Sequence, residues 1–410
     1  MASSRVFSSS FHPYPHRRNT SSFVWRKDQG GDIRADQYSS MMMTTTKTKR
    51  KSKSPSSPTP LPQSNIIEKV CKFWASGNCV KGDCCRFLHS WCRGDEVSFL
   101  ANLQGHKKAV TGIALPSSGA KLYSSSNDGT LRLWDCHTGQ CSRVINLGSQ
   151  VGSLINDGTW VFVGMPNLVK PCLALYYLTA FREEAWNTEK SNNAEFSLNG
   201  PVAVGQVNSM IVANGMLLAG TQSGQILAWK GSSDETNPFQ PVQSLTGHAR
   251  AVVCLAFGGN RLFSASLDRT IKMWDLDTLQ CIATLNGHSD AVMSLVYWEN
   301  YLLSCSLDGT IKIWATTGEG KIEVTYTHDE GHGVLALNGI TLPGKTDAEH
   351  KHILFSSCND NTVRIYELPS FEEKGRLFAR QEVRTIQKGP GGLLLTGDGT
   401  GLTTVWKMNA

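Results

Sequence analysis

The sequence contains no long hydrophobic run. A membrane-spanning helix needs about 20 consecutive apolar residues, and the most apolar stretch, residues 171–181, is far shorter. Cysteine is also scarce, with 12 in 410 residues, which is too few for a fold held together by disulfide bonds. No glycine-rich phosphate loop and no isolated pair of carboxylates stands out. The missing apolar run predicts a soluble or peripheral protein, and we expect no membrane among its partners. The missing motifs, together with the repeat architecture described below, lead us to expect no enzymatic activity and no small-molecule substrate.

Positive charge is concentrated in the N-terminal tail. Residues 1–70 contain 12 Lys or Arg against 4 Asp or Glu, whereas the rest of the chain contains 28 against 30. Residues 1–65 are rich in Ser, Thr, Pro and Met and poor in aliphatic residues, a composition that predicts disorder. Five cations within residues 47–53 fit a nuclear import signal, a phosphate contact or a solvated linker. Residues 1–27 have no acid and five Arg or Lys, which also fits an organelle transit peptide.

We therefore expect the protein in the nucleus, alone or shared with the cytoplasm, and organelle import is the minority alternative.

Five of the cysteines fall between residues 71 and 92, beside a histidine with the spacing of metal ligands. The four candidate ligands are Cys71, Cys79, Cys85 and His89. Seven, five and three residues separate them, and three thiolates with one imidazole suit a closed, tetrahedral, structural zinc site. About twenty residues cannot build a core of their own, so this segment should be unfolded without the metal. Cys84 and Cys92 are treated as spare thiols.

This segment resembles the CCCH zinc-finger family. Gly77, Gly82 and Phe87 stand where the family pattern has glycine before the second Cys and an aromatic residue between the third Cys and the His. The resemblance implies a finger at residues 66–93 that holds one structural Zn²⁺ and binds single-stranded RNA. Exposed rings beside cations form a stacking surface for bases with phosphate partners, unless the rings only cover the zinc. The candidate contacts are Phe73, Trp74, Phe87, Lys72, Lys81 and Arg86.

A pattern of about forty residues repeats from residue 103 to residue 406. Its most regular copies run from Gly247-His248 to Trp274 and from Gly287-His288 to Trp314. These copies resemble the WD-repeat family, in which each repeat forms a four-stranded blade of a β-propeller. The closing aromatic residues are Trp134, Trp229, Trp274, Trp314, Tyr366 and Trp406, and the interval of 95 residues between the first two must hold two repeats. The predicted fold is all-β, with a seven-bladed propeller over residues 96–410.

The ends of the propeller can close the ring. The chain stops at the third strand of the last blade, and residues 96–101 form a spare strand before the first Gly-His pair. The two can therefore pair and remove exposed edges.

Each strong copy contains a His, a Ser and an Asp, for example His288, Ser306 and Asp308. A hydrolase would use such a set once, whereas here it recurs in step with the strands. The WD resemblance implies a buried hydrogen-bonded set that stabilises each blade. Weaker copies lose members of the set, such as Cys358 in place of Ser and Tyr366 in place of Trp, and should be less rigid.

One stretch breaks the repeat. Removing residues 171–184 would restore the pattern up to Trp186, so we interpret 171–184 as an insertion within the third strand of blade 2, either an ordered lid or an alternative transcript form.

The combination of finger and propeller resembles a plant group of CCCH zinc-finger/WD-repeat proteins. It predicts a non-enzymatic adaptor whose finger binds single-stranded RNA and whose propeller scaffolds protein partners. Two alternatives remain open. One is a DNA-binding transcriptional regulator, disfavoured because a single finger lacks a major-groove helix. The other is a ubiquitin-ligase substrate receptor, disfavoured because neither Trp134-Asp135 nor Trp274-Asp275 is followed by the expected cation.

Overall fold

The computed structural model describes residues 67–116, 121–157, 160–166, 168–173, 198–199, 204–232, 239–318, 320–343 and 350–409. The predicted tail at residues 1–65 and its basic run lie outside these ranges. The described chain divides into two compact units, the finger unit (residues 67–91) and the propeller unit (residues 92–409). Within the described ranges, no helix has the length and apolar character needed to cross a membrane.

The finger unit is mostly loop. Its regular elements are strand β1 (Ile67–Val70), helix α1 (Lys72–Ala75), a 3-10 turn (Gly82–Cys84) and strand β2 (Phe87–Leu88). Strands β1 and β2 pair in parallel. Gly77 and Gly82 have φ values of 77° and 47°, a left-handed conformation that glycine adopts without steric cost. Both glycines take part in turn hydrogen bonds, Gly77 through its N–H to the Trp74 carbonyl and Gly82 through its carbonyl to the Cys85 N–H.

Two strands come before the first blade. They are β3 (Cys92–Arg93) and β4 (Val97–Leu103). Blade 1 contains β5 (Val110–Ala114), β6 (Lys121–Ser126), β7 (Thr130–Asp135) and β8 (Cys141–Asn146). Blade 2 contains β9 (Ser153–Asp157), β10 (Trp160–Met165), β11 (Leu168–Leu173) and β12 (Leu198–Asn199). Blade 3 contains β13 (Val207–Ala213), β14 (Met216–Thr221), β15 (Ile226–Gly231) and β16 (Phe239–Pro241). Blade 4 contains β17 (Val252–Gly258), β18 (Arg261–Ser266), β19 (Ile271–Asp275) and β20 (Cys281–Leu285).

The remaining strands complete the ring. Blade 5 contains β21 (Val292–Trp298), β22 (Tyr301–Ser306), β23 (Thr310–Thr316) and β24 (Ile322–Asp329). Blade 6 contains β25 (Val334–Pro343), β26 (His350–Cys358), β27 (Thr362–Leu368) and β28 (Glu372–Phe378). Blade 7 contains β29 (Val383–Gly389), a 3-10 turn (Pro390–Gly392), β30 (Leu393–Asp398) and β31 (Thr403–Met408).

Each blade is an antiparallel sheet of sequential strands, and the described propeller unit contains seven such sheets. The predicted all-β, seven-bladed fold is therefore confirmed. The first strands of neighbouring blades contact each other around the ring, and β29 of blade 7 contacts β5 of blade 1.

The ring is closed by a strand from the start of the propeller. Strand β4 pairs antiparallel with β31, and Phe99 lies opposite Trp406. The closure predicted from the spare strand is thus present, and blade 7 obtains its fourth strand from residues 97–103.

Blade 6 carries a fifth strand. Cys92 and Arg93, which the sequence assigns to the finger, form β3 and pair with Leu377 and Arg376 of β28. Gly94 makes this approach possible, because its φ is 92° and a Cβ there would lie 2.3 Å from the Lys374 carbonyl oxygen. The segment is also fixed by an ion pair of 2.7 Å between Glu96 and Lys351.

The hydrophobic core lies between neighbouring blades. Trp274 of blade 4, for example, packs in one buried cluster with Leu218 and Ile226 of blade 3. Gly220 shows how closely the blades approach, since a Cβ there would lie 2.6 Å from Val252 Cγ1 of the next blade. Because the blades pack this closely, the stability of each blade depends on the blades beside it.

A buried hydrogen-bonded set, here named the lock, stabilises blade 5. Trp314 Nε1 donates to Ser304 Oγ at 2.8 Å, and His288 Nε2 lies 2.8 Å from the same hydroxyl. His288 Nδ1 lies 2.8 Å from Asp308 Oδ2. Because a carboxylate only accepts, Nδ1 carries the proton and Nε2 accepts from the serine. Blades 1 and 4 repeat the arrangement with Ser124 and Ser264.

The sequence assigned the wrong serine to this set. Ser306 does not contact His288. Its Oγ donates to the Asp290 carbonyl and accepts from the Asp308 N–H. The lock serine stands two residues earlier, ten positions before the tryptophan, and both serines lie on the same face of the strand.

Other blades have different residues at the positions of the lock. Blade 7 has Thr396, whose hydroxyl accepts from Trp406 Nε1 at 2.9 Å, and blade 3 has Ala219 ten positions before Trp229. Blade 6, predicted to be weak, contains a buried carboxylate instead of a histidine. Glu330 accepts from the Tyr366 hydroxyl at 2.9 Å and forms an ion pair with Arg364.

The predicted insertion begins within paired structure. Strand β11 remains in register with β10 through Leu173, which lies opposite Trp160, and Cys172 lies opposite Val161. The third strand of blade 2 therefore continues through the first three residues of the proposed insertion. Residues 174–184 and Trp186 lie outside the described residues, so the insertion stays a prediction.

Candidate metal centre and nucleic-acid interface

The finger unit brings the four candidate ligands together. The ligand atoms of Cys71, Cys79, Cys85 and His89 all lie within 4.8 Å of one another. Cys71 and Cys85 are buried, and the other two are half-buried. The spare thiols Cys84 and Cys92 are not members of this cluster.

Short backbone contacts place the ligands. Cys71 directly precedes α1, and its N–H donates to the Leu88 carbonyl at 2.8 Å, next to His89. Its own carbonyl accepts from Ala75 N–H at 2.9 Å and so begins the helix. Cys85 follows the 3-10 turn, and its N–H donates to the Gly82 carbonyl at 3.1 Å. The pairing of β1 with β2 therefore brings the first and last ligands together.

The thiols perturb one another. Burial raises the pKa of Cys71, but hydrogen bonds from the Trp74 backbone and the neighbouring ligands outweigh it and lower the pKa to about 6. A hydrogen bond from the Lys81 backbone lowers the pKa of Cys79, but burial and the thiols of Cys71 and Cys85 outweigh it and raise the pKa overall. The opposite shifts of Cys71 and Cys79 arise because the thiols lie close together, and a cation bound between them would favour the thiolate forms.

The histidine provides a second indication of a cation. His89 Nε2 is buried and has no hydrogen-bond partner within the described chain, although buried polar atoms nearly always have one. The Trp74 ring stacks on the imidazole, with centroids 5.8 Å apart and planes inclined by 11°. Trp91 packs against the same indole at 5.8 Å. Three thiols, an unsatisfied imidazole nitrogen and a cover of aromatic rings fit a structural zinc ion.

The six predicted nucleic-acid contacts differ in exposure. Phe73 is 56% exposed and Phe87 is 42% exposed, whereas Trp74 is half-buried on His89. The three exposed cations are Lys72, Lys81 and Arg86. Lys72 Nζ lies 5.1 Å from the centroid of the Phe73 ring, within the range of a cation–π contact. Trp74 therefore covers the ligand cluster, and Phe73 and Phe87 are the rings that remain available to a base.

Two further apolar residues of the finger unit were not predicted from the sequence. Val80 is 98% exposed because it follows Cys79 in a loop without regular structure, and Trp91 packs on Trp74. Trp91 lies two residues after His89, and only its aromatic character could have indicated that it packs on Trp74.

Comparison with known proteins finds relatives that are named for a CCCH zinc finger. The chain is 51% identical over 346 residues to zinc finger CCCH domain-containing protein 17 of Oryza sativa subsp. japonica, covering 84% of this chain and 74% of that protein. It is 54% identical over 340 residues to zinc finger CCCH domain-containing protein 48 of Arabidopsis thaliana, covering 83% and 74%. The chain belongs to the CCCH zinc-finger protein family.

Within this family, the present chain also contains WD repeats. A model described as "WD domain, G-beta repeat" matches residues 97–135, 239–275 and 279–315. The crystal structure of the WD40 β-propeller domain of Doa1 superimposes with a TM-score of 0.61 at 23% identity, covering 76% of this chain and 97% of that chain. This likeness concerns the fold alone.

Proposed function

We propose that the protein is a non-enzymatic adaptor that binds single-stranded RNA through its zinc finger and scaffolds protein partners on its propeller. The observation that carries the proposal is the pair of exposed rings, Phe73 and Phe87, beside three exposed cations in a unit that contains a Cys₃His cluster.

One zinc ion would be held by Cys71, Cys79, Cys85 and His89. The metal would supply folding energy rather than chemistry, because four protein ligands leave no open position for water. Its bonds would fix α1 and β2 relative to each other, and those elements carry Phe73 and Phe87. The exposed surface would therefore depend on the metal.

RNA suits this surface better than duplex DNA. Stacking on an exposed ring needs a base that is not paired, which a single strand offers. Reading the major groove needs a helix or β-ribbon that enters it, whereas α1 has four residues. Lys72, Lys81 and Arg86 would add a phosphate contribution that weakens with salt.

The propeller supports the second half of the proposal. Seven blades form a rigid ring with many loops at each end, and folds of this kind serve mainly as binding platforms. The His, Ser and Asp sets of blades 1, 4 and 5 are buried within hydrogen bonds of the locks. They therefore stabilise blades and offer no exposed nucleophile.

The test is binding of the zinc-loaded full chain to randomised single-stranded RNA at two salt concentrations, beside matched single- and double-stranded DNA. Phe87→Ala and Phe73→Ala should each weaken RNA binding by roughly 5- to 150-fold, the equivalent of one lost base stack. Val80→Ala is the matched control, since Val80 is apolar and 98% exposed but cannot stack. Cys85→Ser should abolish finger-dependent binding.

If the Phe87→Ala and Cys85→Ser variants bind RNA as tightly as the wild type, the proposal is contradicted and the affinity belongs to the basic tail. Equal affinity for RNA and single-stranded DNA would contradict recognition of the sugar. Preference for double-stranded DNA would favour a transcriptional regulator.

Nuclear residence belongs to the same proposal. The basic run at residues 47–53 supports it, and a fluorescent fusion in which these cations are replaced by Ala should lose nuclear enrichment. Unchanged nuclear enrichment, or accumulation of the wild type in an organelle, would contradict it.

A further inference from the structure

A cavity of about 480 Å³ lies between blades 4 and 5, at the end of the blades opposite the locks. Ligand sites in proteins usually enclose about 300–1,000 Å³, so the cavity is large enough to receive part of a partner. Strands and turns of both blades form its walls. The lining residues include Phe263, Met273 and Ile282 of blade 4 and Tyr297, Asn300 and Leu302 of blade 5.

The wall of blade 4 contains a glycine where the next blade has a large ring. Gly258 leaves room for Tyr297, because a Cβ there would lie 1.8 Å from Tyr297 Cδ1. Blade 5 has Trp298 at the position of Gly258. That indole packs on blade 6, where a Cβ on Gly339 would lie 2.7 Å from Trp298 Cζ3. Between blades 4 and 5, the wall beside the Tyr297 ring is therefore backbone without a side chain.

Apolar groups line the cavity from its buried part to its mouth. Phe263 and Leu302 are each 2% exposed. The Tyr297 ring stacks on Phe263, with centroids 5.7 Å apart and planes inclined by 16°. Ile282 is 45% exposed and is the extra residue of a β-bulge between β19 and β20. An apolar side chain that entered the cavity would pack on the rings and remove Ile282 from water.

Two polar side chains of the lining are available to a ligand. Asn300 and Thr316 are exposed, and neither side chain forms a hydrogen bond within the part of the chain that the structure describes. An asparagine side chain offers a carbonyl oxygen and an NH₂ group, and a peptide group offers an N–H and a carbonyl oxygen in return. Asn300 can therefore pair with the backbone of a bound segment.

The lining has no unpaired charge. Arg261 is the one charged side chain among the described residues that line the cavity, and its guanidinium group forms an ion pair with Asp275. The phosphates of RNA would find no free cation among these residues, and an acidic peptide would find no counterion. A neutral segment of a protein suits this lining best.

We infer that the cavity binds a phenylalanine side chain on a neutral, extended segment of a protein partner, with Asn300 bonded to the adjacent backbone. This inference deepens the scaffold role of the propeller and rests on it. A benzyl ring would gain aromatic contacts with Phe263 and Tyr297 and a sulfur contact with Met273. A phenol or an indole fits less well, because the buried lining side chains leave its polar atom without a partner: Trp314 Nε1 already donates to Ser304.

The test uses the zinc-loaded full chain and synthetic peptide pools, and binding is followed by fluorescence anisotropy. Each pool has random Gly and Ser flanks around one fixed residue, which is Phe, Leu or Ser, and a fourth pool places Glu on both sides of Phe. The Phe pool should bind roughly 2- to 13-fold more tightly than the Leu pool, the equivalent of one aromatic pair. The Ser pool should bind more weakly than both, and the Glu-flanked pool no more tightly than the Phe pool.

Two variants with matched controls locate the binding. Asn300→Gly removes the amide from a turn in which φ is 67°, and Asn260→Gly makes the same change at the equivalent turn position of blade 4, where φ is 60°. The Asn260 side chain does not line the cavity. Ile282→Ser removes an apolar side chain from the mouth, whereas Val144→Ser removes one that is 49% exposed on blade 1.

Asn300→Gly and Ile282→Ser should each weaken binding of the Phe pool by roughly 2- to 13-fold, and the two controls should leave it unchanged. Glycine adopts a positive φ without steric cost, so Asn300→Gly should keep the melting temperature of the wild type.

Equal binding of the Phe pool and either the Leu or the Ser pool would overturn the inference. A preference for Phe that survives both Asn300→Gly and Ile282→Ser, or tighter binding of the Glu-flanked pool, would also overturn it. Loss of RNA affinity in these two variants would assign the cavity to nucleic acid instead, and a preference for Phe that is lost in Phe87→Ala would assign the peptide to the finger. Protein partners that bind both cavity variants as tightly as the wild type would keep the scaffold role and remove this cavity from it. Failure of RNA binding in the Phe87→Ala test concerns the finger and leaves the peptide result readable.

Discussion

Replacing Ser304 by Ala should destabilise the propeller far more than the loss of one oxygen atom implies. Ser304 is fully buried, with Trp314 3% exposed and His288 8% exposed. Its hydroxyl accepts from the indole at 2.8 Å and donates to the imidazole at 2.8 Å. Alanine leaves an indole N–H and an imidazole nitrogen buried without partners. Each unpaired group costs about 1–3 kcal/mol, so a loss of about 2–4 kcal/mol is expected after partial relaxation.

The measurement is urea unfolding of the full chain, followed by circular dichroism of the β-sheet signal. Trp314→Phe removes the indole N–H together with part of a buried ring, and Trp229→Phe removes the same atoms. The lost hydrogen bond should therefore make the Trp314 variant less stable than the Trp229 variant by about 1 kcal/mol. Trp229 is the matched control because it is equally buried but has Ala219, not a serine, ten positions earlier.

In the double variant the costs of Ser304→Ala and Trp314→Phe should not add, since both remove the same hydrogen bond. A cost below about 0.5 kcal/mol for Ser304→Ala, or full additivity with Trp314→Phe, would refute the lock as a coupled network.

Three further predictions follow from other features. Lowering the pH from about 7 to about 5 should lower the melting temperature of the propeller. Burial lowers the pKa of the three lock histidines below the value near 6.5 that the unfolded chain retains, so the unfolded state binds more protons in this window. A constant melting temperature would contradict this reasoning.

Gly94→Ala should detach β3 from blade 6, because its Cβ would meet the Lys374 carbonyl. Detachment would appear as faster hydrogen exchange of the backbone amides of residues 92–93 and 376–377, without general unfolding. Glu330→Ala should cost at most about 3–5 kcal/mol, since it removes the nearer of two carboxylates from the buried Arg364 guanidinium and leaves only Asp360 Oδ2 at 3.4 Å, whereas Glu330→Gln should cost less. Equal costs for the two variants would contradict an ionic role.

Much of the architecture was predictable from the sequence because each repeat marks the position of its strands with residues at fixed spacing. The spacing between the closing aromatic residues gave the number of blades, and the spare strand before residue 103 predicted the closure that β4 provides. The lock serine was missed for a geometric reason. Ser304 and Ser306 are two residues apart on one strand and point to the same face, so only the pairing with neighbouring strands decides which one reaches the indole.

In the finger, too, the sequence pattern predicted which residues come together but not which side chains are exposed. Ligand spacing brought together the four residues whose ligand atoms meet within 4.8 Å. Composition could not separate Trp74, which covers His89, from Phe73 and Phe87, which are exposed. Three aromatic residues in a short segment look alike in sequence, and the difference arises only from the path of α1 and β2.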